Sequence, residues 1–175
     1  MDNKGFAVWL TGTPASGKSK RSRLLVEKLR SEGICIQRLE SDELRKVLTP
    51  DPTYSMEERE WFYSVLVYLG KMLTDNGVNV IFDATGNLQR YRQAARDQIE
   101  KFAEVYVHCP PDVCLGRDPK GFYKDAHEGK APNLPGVGSP YEVPKNPELT
   151  CVSGEEPPEA SVEKIYDWMK NTGWL

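Results

Sequence analysis

The 175-residue sequence has no C-x-x-C pair and no short-chain disulfide pattern; its four cysteines, Cys35, Cys109, Cys114 and Cys151, lie scattered along it. A disulfide-stapled scaffold is thereby excluded, and a reducing cytoplasm is the expected setting. It has only two histidines, His108 and His127, and neither has a second His or Cys at zinc-ligand spacing, so no zinc site is expected. No apolar run is long enough to cross a bilayer and no N-terminal signal peptide is visible, so no membrane partner is expected. Positive charge is not in excess: 23 Lys and Arg stand against 26 Asp and Glu, a net −3. That balance removes any global attraction for nucleic acid or anionic lipid and points to small-molecule partners. There is no internal repeat and no room for a second domain, so residues 1–175 are expected to form one α/β domain around one core.

What is present is a phosphate-binding loop. Gly12-Thr13-Pro14-Ala15-Ser16-Gly17-Lys18-Ser19 has the required glycine spacing followed by Lys and Ser. The apolar run Phe6 to Leu10 enters it as a buried strand, and Lys20 to Leu29 leaves it with Leu25 and Leu29 at helical spacing. Such glycines let successive backbone N–H groups turn toward a polyphosphate at the positive end of a helix dipole. Lys18 is expected to reach the β- and γ-phosphates of ATP, and the Ser19 hydroxyl to ligate the accompanying Mg²⁺.

Further along, Gly33 closes the first helix and Ile34 to Leu39 reads as a second strand ending in Glu40-Ser41-Asp42-Glu43. Asp42 is thus expected in the crevice outside the strand ends, where it orients an acceptor hydroxyl or helps hold Mg²⁺; capping of the next helix by Ser41 or Asp42 is the alternative. A long helix is expected over Ser55 to Asn76. Trp61, Val65, Tyr68, Leu69 and Met72 form its core face, Ser55 and Glu58 a capping box, and Arg59 in its first turn is aimed at an anion. Val78 to Phe82 reads as a buried third strand running into Asp83-Ala84-Thr85-Gly86, with Asp83 the acid that supports Mg²⁺ beside Ser19. These residues also spell Asp-x-x-Gly, but no Asn-Lys-x-Asp accompanies it, which demotes a GTPase.

The next helix is expected over Leu88 to Phe102, with Arg92 and Arg96 on a solvated face or over the crevice. Val105 to Cys109 is the fourth strand, and Pro110-Pro111 opens a short helix ending near Arg117. Pro119 to Pro147 is rich in Pro and Gly, with one short helical stretch near Phe122 to Glu128. Its apolar anchors, Phe122, Tyr123, Leu134, Val137 and Tyr141, mark a lid rather than a linker. Leu149 to Val152 is a candidate fifth strand, and Ser161 to Asn171 a closing helix with Ile165, Trp168 and Met169 inward.

Taken with the phosphate loop, the run Arg117-Asp118-Pro119-Lys120-Gly121-Phe122-Tyr123-Lys124, followed by Gly138-Ser139-Pro140-Tyr141-Glu142 and Asn146-Pro147-Glu148, resembles the adenylylsulfate (APS) kinase family over nearly the whole chain. The resemblance implies a doubly wound parallel five-stranded sheet with a lid, and transfer of the ATP γ-phosphate to the 3′-hydroxyl of APS. By position it implies Arg117 and Lys120 as lid cations on the ATP phosphates, and Arg45 and Arg59 as the arginines that hold the phosphosulfate.

The acceptor side departs from the family. Glu40-Ser41-Asp42-Glu43 replaces Asp-Gly-Asp-Asn, Phe62 replaces an Asn that contacts APS, and Ser64 replaces an Arg. Thr85-Gly86-Asn87-Leu88-Gln89 aligns with Ile-Ser-Pro-Tyr-Arg, and Pro132-Asn133-Leu134 with Lys-Asn-Phe, which loses the ring that stacks on adenine. The acceptor site is therefore expected to comprise Asp42, Arg45, Arg59, Phe62, Asp83, Thr85, Gly86, Asn133 and Leu134, with Ser19, Asp42 and Asp83 toward Mg²⁺. APS is the leading acceptor, another anionic hydroxyl compound the alternative, and a non-catalytic nucleotide-binding regulator a third reading. A homodimer is the candidate assembly.

Overall fold

The computed structural model describes residues 4–118, 121–130 and 133–175, with the side chain of Phe122 left out. The chain-order elements are β1 (Phe6–Thr11), α1 (Lys18–Ser31), β2 (Ile36–Glu40), α2 (Ser41–Leu48), α3 (Met56–Asp75), β3 (Asn79–Asp83), α4 (Gln89–Gln98), β4 (Lys101–His108), α5 (Pro111–Arg117), α6 (Phe122–His127), β5 (Leu149–Val152) and α7 (Pro158–Asn171). The strands form one parallel sheet in the order β2-β3-β1-β4-β5. Every residue of β1 is buried, because helices cover both faces of a parallel sheet. Alternate residues of β1 feed two cores: Ala7 and Trp9 pack toward α3 and α4, while Phe6, Val8 and Leu10 pack toward α1 and α7. This is the expected doubly wound sheet. The phosphate loop leaves β1 at its carboxyl end, in the middle of the sheet, with β2 and β3 added on one side of β1 and β4 and β5 on the other.

The core face of α3 differs from the expected one. Phe62, Tyr63, Leu66, Val67, Gly70 and Thr74 are buried, whereas Trp61, Tyr68 and Met72 are 47%, 64% and 44% exposed. Residues 61–69 are apolar nearly all round, so periodicity leaves the face open, and Gly70 decides it. A Cβ at Gly70 would lie 2.1 Å from Cζ of Phe82, so only a bare backbone can approach β3 so closely. Gly70→Ala is expected to destabilise the fold by about 1–3 kcal/mol in spite of better helix propensity, read as a lower urea midpoint. A neutral or stabilising result would contradict this packing. The capping box forms by half: Ser55 Oγ accepts from Glu58 N, but the Glu58 carboxylate bonds Thr53 instead of reaching back to Ser55 N.

The boundary between α4 and β4 also moves. The helix stops at Gln98, Ile99 is already extended, and Phe102 lies in β4, which runs from Lys101 rather than Val105. Glu104 accounts for the difference, since a charge inside a buried strand interrupts the apolar run. That charge is matched by Arg92, whose side chain is 0% exposed and which is neither solvated nor over the crevice. Arg92 also donates to the carbonyls of Gly86 and Glu142, and Arg96 grips Glu148 with two bonds of 2.6 and 2.8 Å. A buried pair of this kind is costly to break, about 3–5 kcal/mol for loss of one partner, and here it ties the end of the lid segment to β4.

In that segment Tyr123 and Leu134 are buried as expected, and Tyr141 bonds Thr11 Oγ1 at 3.0 Å. Val137 is not an anchor: it sits 49% exposed in a turn closed by the Pro135 and Ser139 bridge. The fifth strand and closing helix form as expected, with Ile165 and Met169 fully buried and Trp168 partly so. Among the described residues no helix is long and apolar enough to cross a membrane.

Candidate active site

The loop between β1 and α1 is shaped by two glycines at positions where a side chain would be strained. A Cβ at Gly12 would meet Val107 O at 2.5 Å and Ser16 Oγ at 2.7 Å. Gly17 is left-handed at φ 90°, and its Cβ would meet an Arg21 guanidinium nitrogen at 2.7 Å. Ala15 is held left-handed at φ 61°, a strain of about 1–2 kcal/mol for a residue with a Cβ. Helix α1 starts with no side-chain cap and no acid in its first turn, leaving its positive end open to an anion.

Lys18 Nζ donates to the carbonyls of Gly12 and Thr13, both at 2.9 Å, so the ammonium arches over the loop. Ser16 Oγ is buried without a hydrogen-bond partner among the described residues. An orphaned donor beside a bracketed lysine fits a cradle that receives phosphate oxygens. Pro14 faces α6 and Thr13 faces α5: Tyr123 OH donates to Pro14 O at 3.1 Å, and Thr13 Oγ1 lies 3.8 Å from Cys114 Sγ. Burial pushes the Tyr123 hydroxyl up to about 12, so it stays protonated and able to donate.

Ser19 Oγ donates to Asp83 Oδ1 at 3.2 Å, bringing together two of the three residues expected near Mg²⁺. These hard oxygen donors suit that ion, which takes one or two carboxylates along with phosphate oxygens. Asp42, the third, stands in the first turn of α2 and lines the same cavity. The N-cap there is Glu40, with no side-chain cap bond, so the capping alternative for Ser41 and Asp42 is not realised.

The cavity is about 740 Å³ and runs from Lys18 and Ser19 past Asp42 and Asp83 to Arg45, Arg59, Thr85, Asn133 and Leu134. Arg117 lines its rim at the end of α5; Lys120 lies outside the described residues. The two inner arginines are not equivalent. Arg45 is matched by Glu58 at 2.8 Å and lies 3.9 Å over the Phe62 ring. Arg59 is buried, donates to the carbonyls of Tyr54 and Asn133, and has no carboxylate within ion-pair distance among the described residues. Burial and the nearby Arg45 push its guanidinium below the ordinary arginine value.

Two expected acceptor residues are not on the cavity wall. Phe62 is fully buried behind Arg45, so it supports that guanidinium and does not meet a ligand. Gly86 faces inward: its Cβ would lie 2.8 Å from the Trp9 ring, and its N–H donates to Tyr63 OH at 2.9 Å. Tyr54 and Tyr63 line the cavity and were not singled out from sequence. Tyr54 is the stronger omission, a half-exposed ring held at φ 53° between the two arginines. Its signal was an aromatic residue standing alone in the loop before the Ser55 cap.

With this geometry in hand, the comparisons with known proteins agree. Residues 4–152 match the family model for adenylylsulphate kinase. The probable adenylyl-sulfate kinase of Pyrococcus abyssi is 38% identical over 172 residues, covering 98% of this chain and 99% of its own. The adenylyl-sulfate kinase of Rippkaea orientalis is 36% identical over 175 residues, covering 100% and 97%. Among solved structures, the Mycobacterium tuberculosis APS kinase CysC in complex with AMPPNP and APS superposes with a TM-score of 0.90 at 33% identity, covering 95% of this chain and 98% of that one. A match of this extent, on a phosphate loop facing a cavity with a buried arginine, means that this chain belongs to the adenylylsulphate kinase family.

Proposed function

We propose that this chain transfers the γ-phosphate of ATP to a hydroxyl of a small anionic acceptor, with the 3′-hydroxyl of adenylylsulfate the leading assignment. The observation that carries the proposal is Arg59, a buried cation with no carboxylate partner among the described residues, in the same cavity as Lys18 and Ser19. An uncompensated guanidinium across a cleft from a phosphate cradle suits an acceptor that brings its own negative charge. The membership of the family supports the same reading.

In this reading the loop amides and Lys18 hold the donor phosphates. Asp42 orients the acceptor hydroxyl, Arg59 holds the acceptor anion, and Tyr54 and Leu134 flank its planar part. Arg117 and Lys120 close over the phosphates from the lid and exclude water that would otherwise hydrolyse ATP. Mg²⁺, held toward Ser19 and Asp83, would neutralise phosphate charge. Since phosphoryl transfer demands positioning and charge more than covalent participation, these groups suffice. The four free thiols support a cytoplasmic setting, and the exposed stripe of Trp61, Tyr68 and Met72 supports a homodimer.

A second acceptor is favoured by one observation: the charge of Arg45, which the ring of Phe62 backs from within the core, is already satisfied by Glu58. Coupled ADP release with APS and with a panel of other anionic hydroxyl compounds separates the two. Stimulation by APS supports the leading assignment, and stimulation by another compound alone replaces it. ATP binding in a calorimeter with no transfer to any acceptor would support the regulator instead. Arg59→Met is expected to raise the acceptor KM by about 10–100-fold, the worth of a charge-assisted hydrogen bond, with the ATP KM unchanged. An equal rise for both substrates would remove Arg59 from the acceptor side.

A further inference from the structure

Asp83 is 2% exposed and wrapped by donors from two other elements. Its Oδ1 accepts from Ser19 Oγ at 3.2 Å, and its Oδ2 accepts from Ser22 Oγ at 2.7 Å and from Arg38 at 2.9 Å. The other arm of Arg38 donates to Glu40 at 2.6 Å. The β2 and β3 register pairs Glu40 with Asp83, which sets two carboxylates side by side on strands about 4.8 Å apart. Arg38 stands two residues before Glu40, on the same face of β2, so its side chain runs along the strand and reaches both acids. Without a cation between them, two carboxylates so placed would repel, or would recruit a free divalent ion.

We propose that Arg38 is a positioning residue for the cation that accompanies the nucleotide. It commits Asp83 Oδ2, leaving Oδ1 toward Ser19, and it draws Glu40 away from that cation. The ion would then be held toward Ser19 and Asp83 Oδ1 together with the nucleotide, so that its binding is coupled to the nucleotide. A lone carboxylate pair would capture the ion without nucleotide. This inference rests on the kinase reading above and adds a residue that reading does not use.

The test is Mn²⁺ binding followed by electron paramagnetic resonance, with and without ADP, as a stand-in for Mg²⁺. The wild-type protein is expected to bind Mn²⁺ far more tightly with ADP than without it. Arg38→Met is expected to bind Mn²⁺ without ADP at least about tenfold more tightly than wild type, Arg38→Lys to stay close to wild type, and Arg38→Met with Glu40→Gln to lose the gain. Unchanged ADP-free affinity in an Arg38→Met protein with native circular dichroism would overturn the inference. Should Arg38→Met not fold, Glu40→Gln alone decides. Unchanged Mn²⁺ affinity with ADP supports the inference, and a loss of more than about tenfold makes Glu40 a ligand and overturns it. If wild type with ADP binds no Mn²⁺, the kinase reading itself fails, an outcome distinct from failure of Arg38 alone.

Discussion

Lys18→Ala is expected to lower kcat by about 10³-fold, or roughly 4 kcal/mol of transition-state stabilisation, while leaving the fold intact. The ammonium is the one side-chain charge bracketed within the loop, held at 2.9 Å by the carbonyls of Gly12 and Thr13. Those carbonyls set its height over the site where phosphate oxygens are expected. Phosphoryl transfer spreads negative charge over the equatorial oxygens, and a fixed cation in a water-poor cleft stabilises that charge without reorganisation. The loop does not depend on the lysine for its shape, because Gly12 and Gly17 and the bond from Ser153 Oγ to Ser16 O define it. The check is steady-state kinetics beside a thermal melt. A variant that keeps most of its turnover would remove the nucleotide assignment from this loop.

Asp42→Asn is expected to reduce kcat by about 10²–10⁴-fold, the usual contribution of a positioned acid or base. Asp42 stands in the first turn of α2, in the cavity that also holds Lys18 and Arg59. From there a carboxylate can accept the proton of an attacking hydroxyl, which asparagine cannot. Asparagine preserves the size and the polar first turn of the helix, so the fold should be kept, as a thermal melt would show. Substrate binding by calorimetry should hold while turnover falls. A loss of activity smaller than about tenfold would reduce Asp42 to a residue that complements the helix dipole.

The sheet and the phosphate loop were legible because each demands particular residues. Strands covered on both faces read as apolar runs, and a cradle of N–H groups needs its glycines at set positions. Legibility failed where a partner far along the chain decides the outcome. The face of α3 depends on Phe82 meeting Gly70, and β4 hides behind Glu104, whose charge makes sense only once Arg92 is beside it. The same holds within the site. Asp83 was visible as an acid at a strand end, but its setting comes from Ser22 on α1 and Arg38 on β2, joined only by sheet register. At Phe62 and Gly86 the sequence suggests acceptor contacts, because these positions align with such residues in the family. Here the ring turns inward to carry Arg45, and the glycine turns inward against Trp9.

The proposed reaction joins, in one cavity, a phosphate donor site to an acceptor held by Arg59. It is tested most directly by incubating the protein with ATP, Mg²⁺ and APS and identifying the products by ³¹P nuclear magnetic resonance and mass spectrometry. The expected products are ADP together with APS that has gained a phosphate at its 3′-hydroxyl, and both are expected to be lost in Lys18→Ala. Consumption of ATP to ADP and free phosphate, with no phosphorylated acceptor from APS or from any member of the panel, would contradict it.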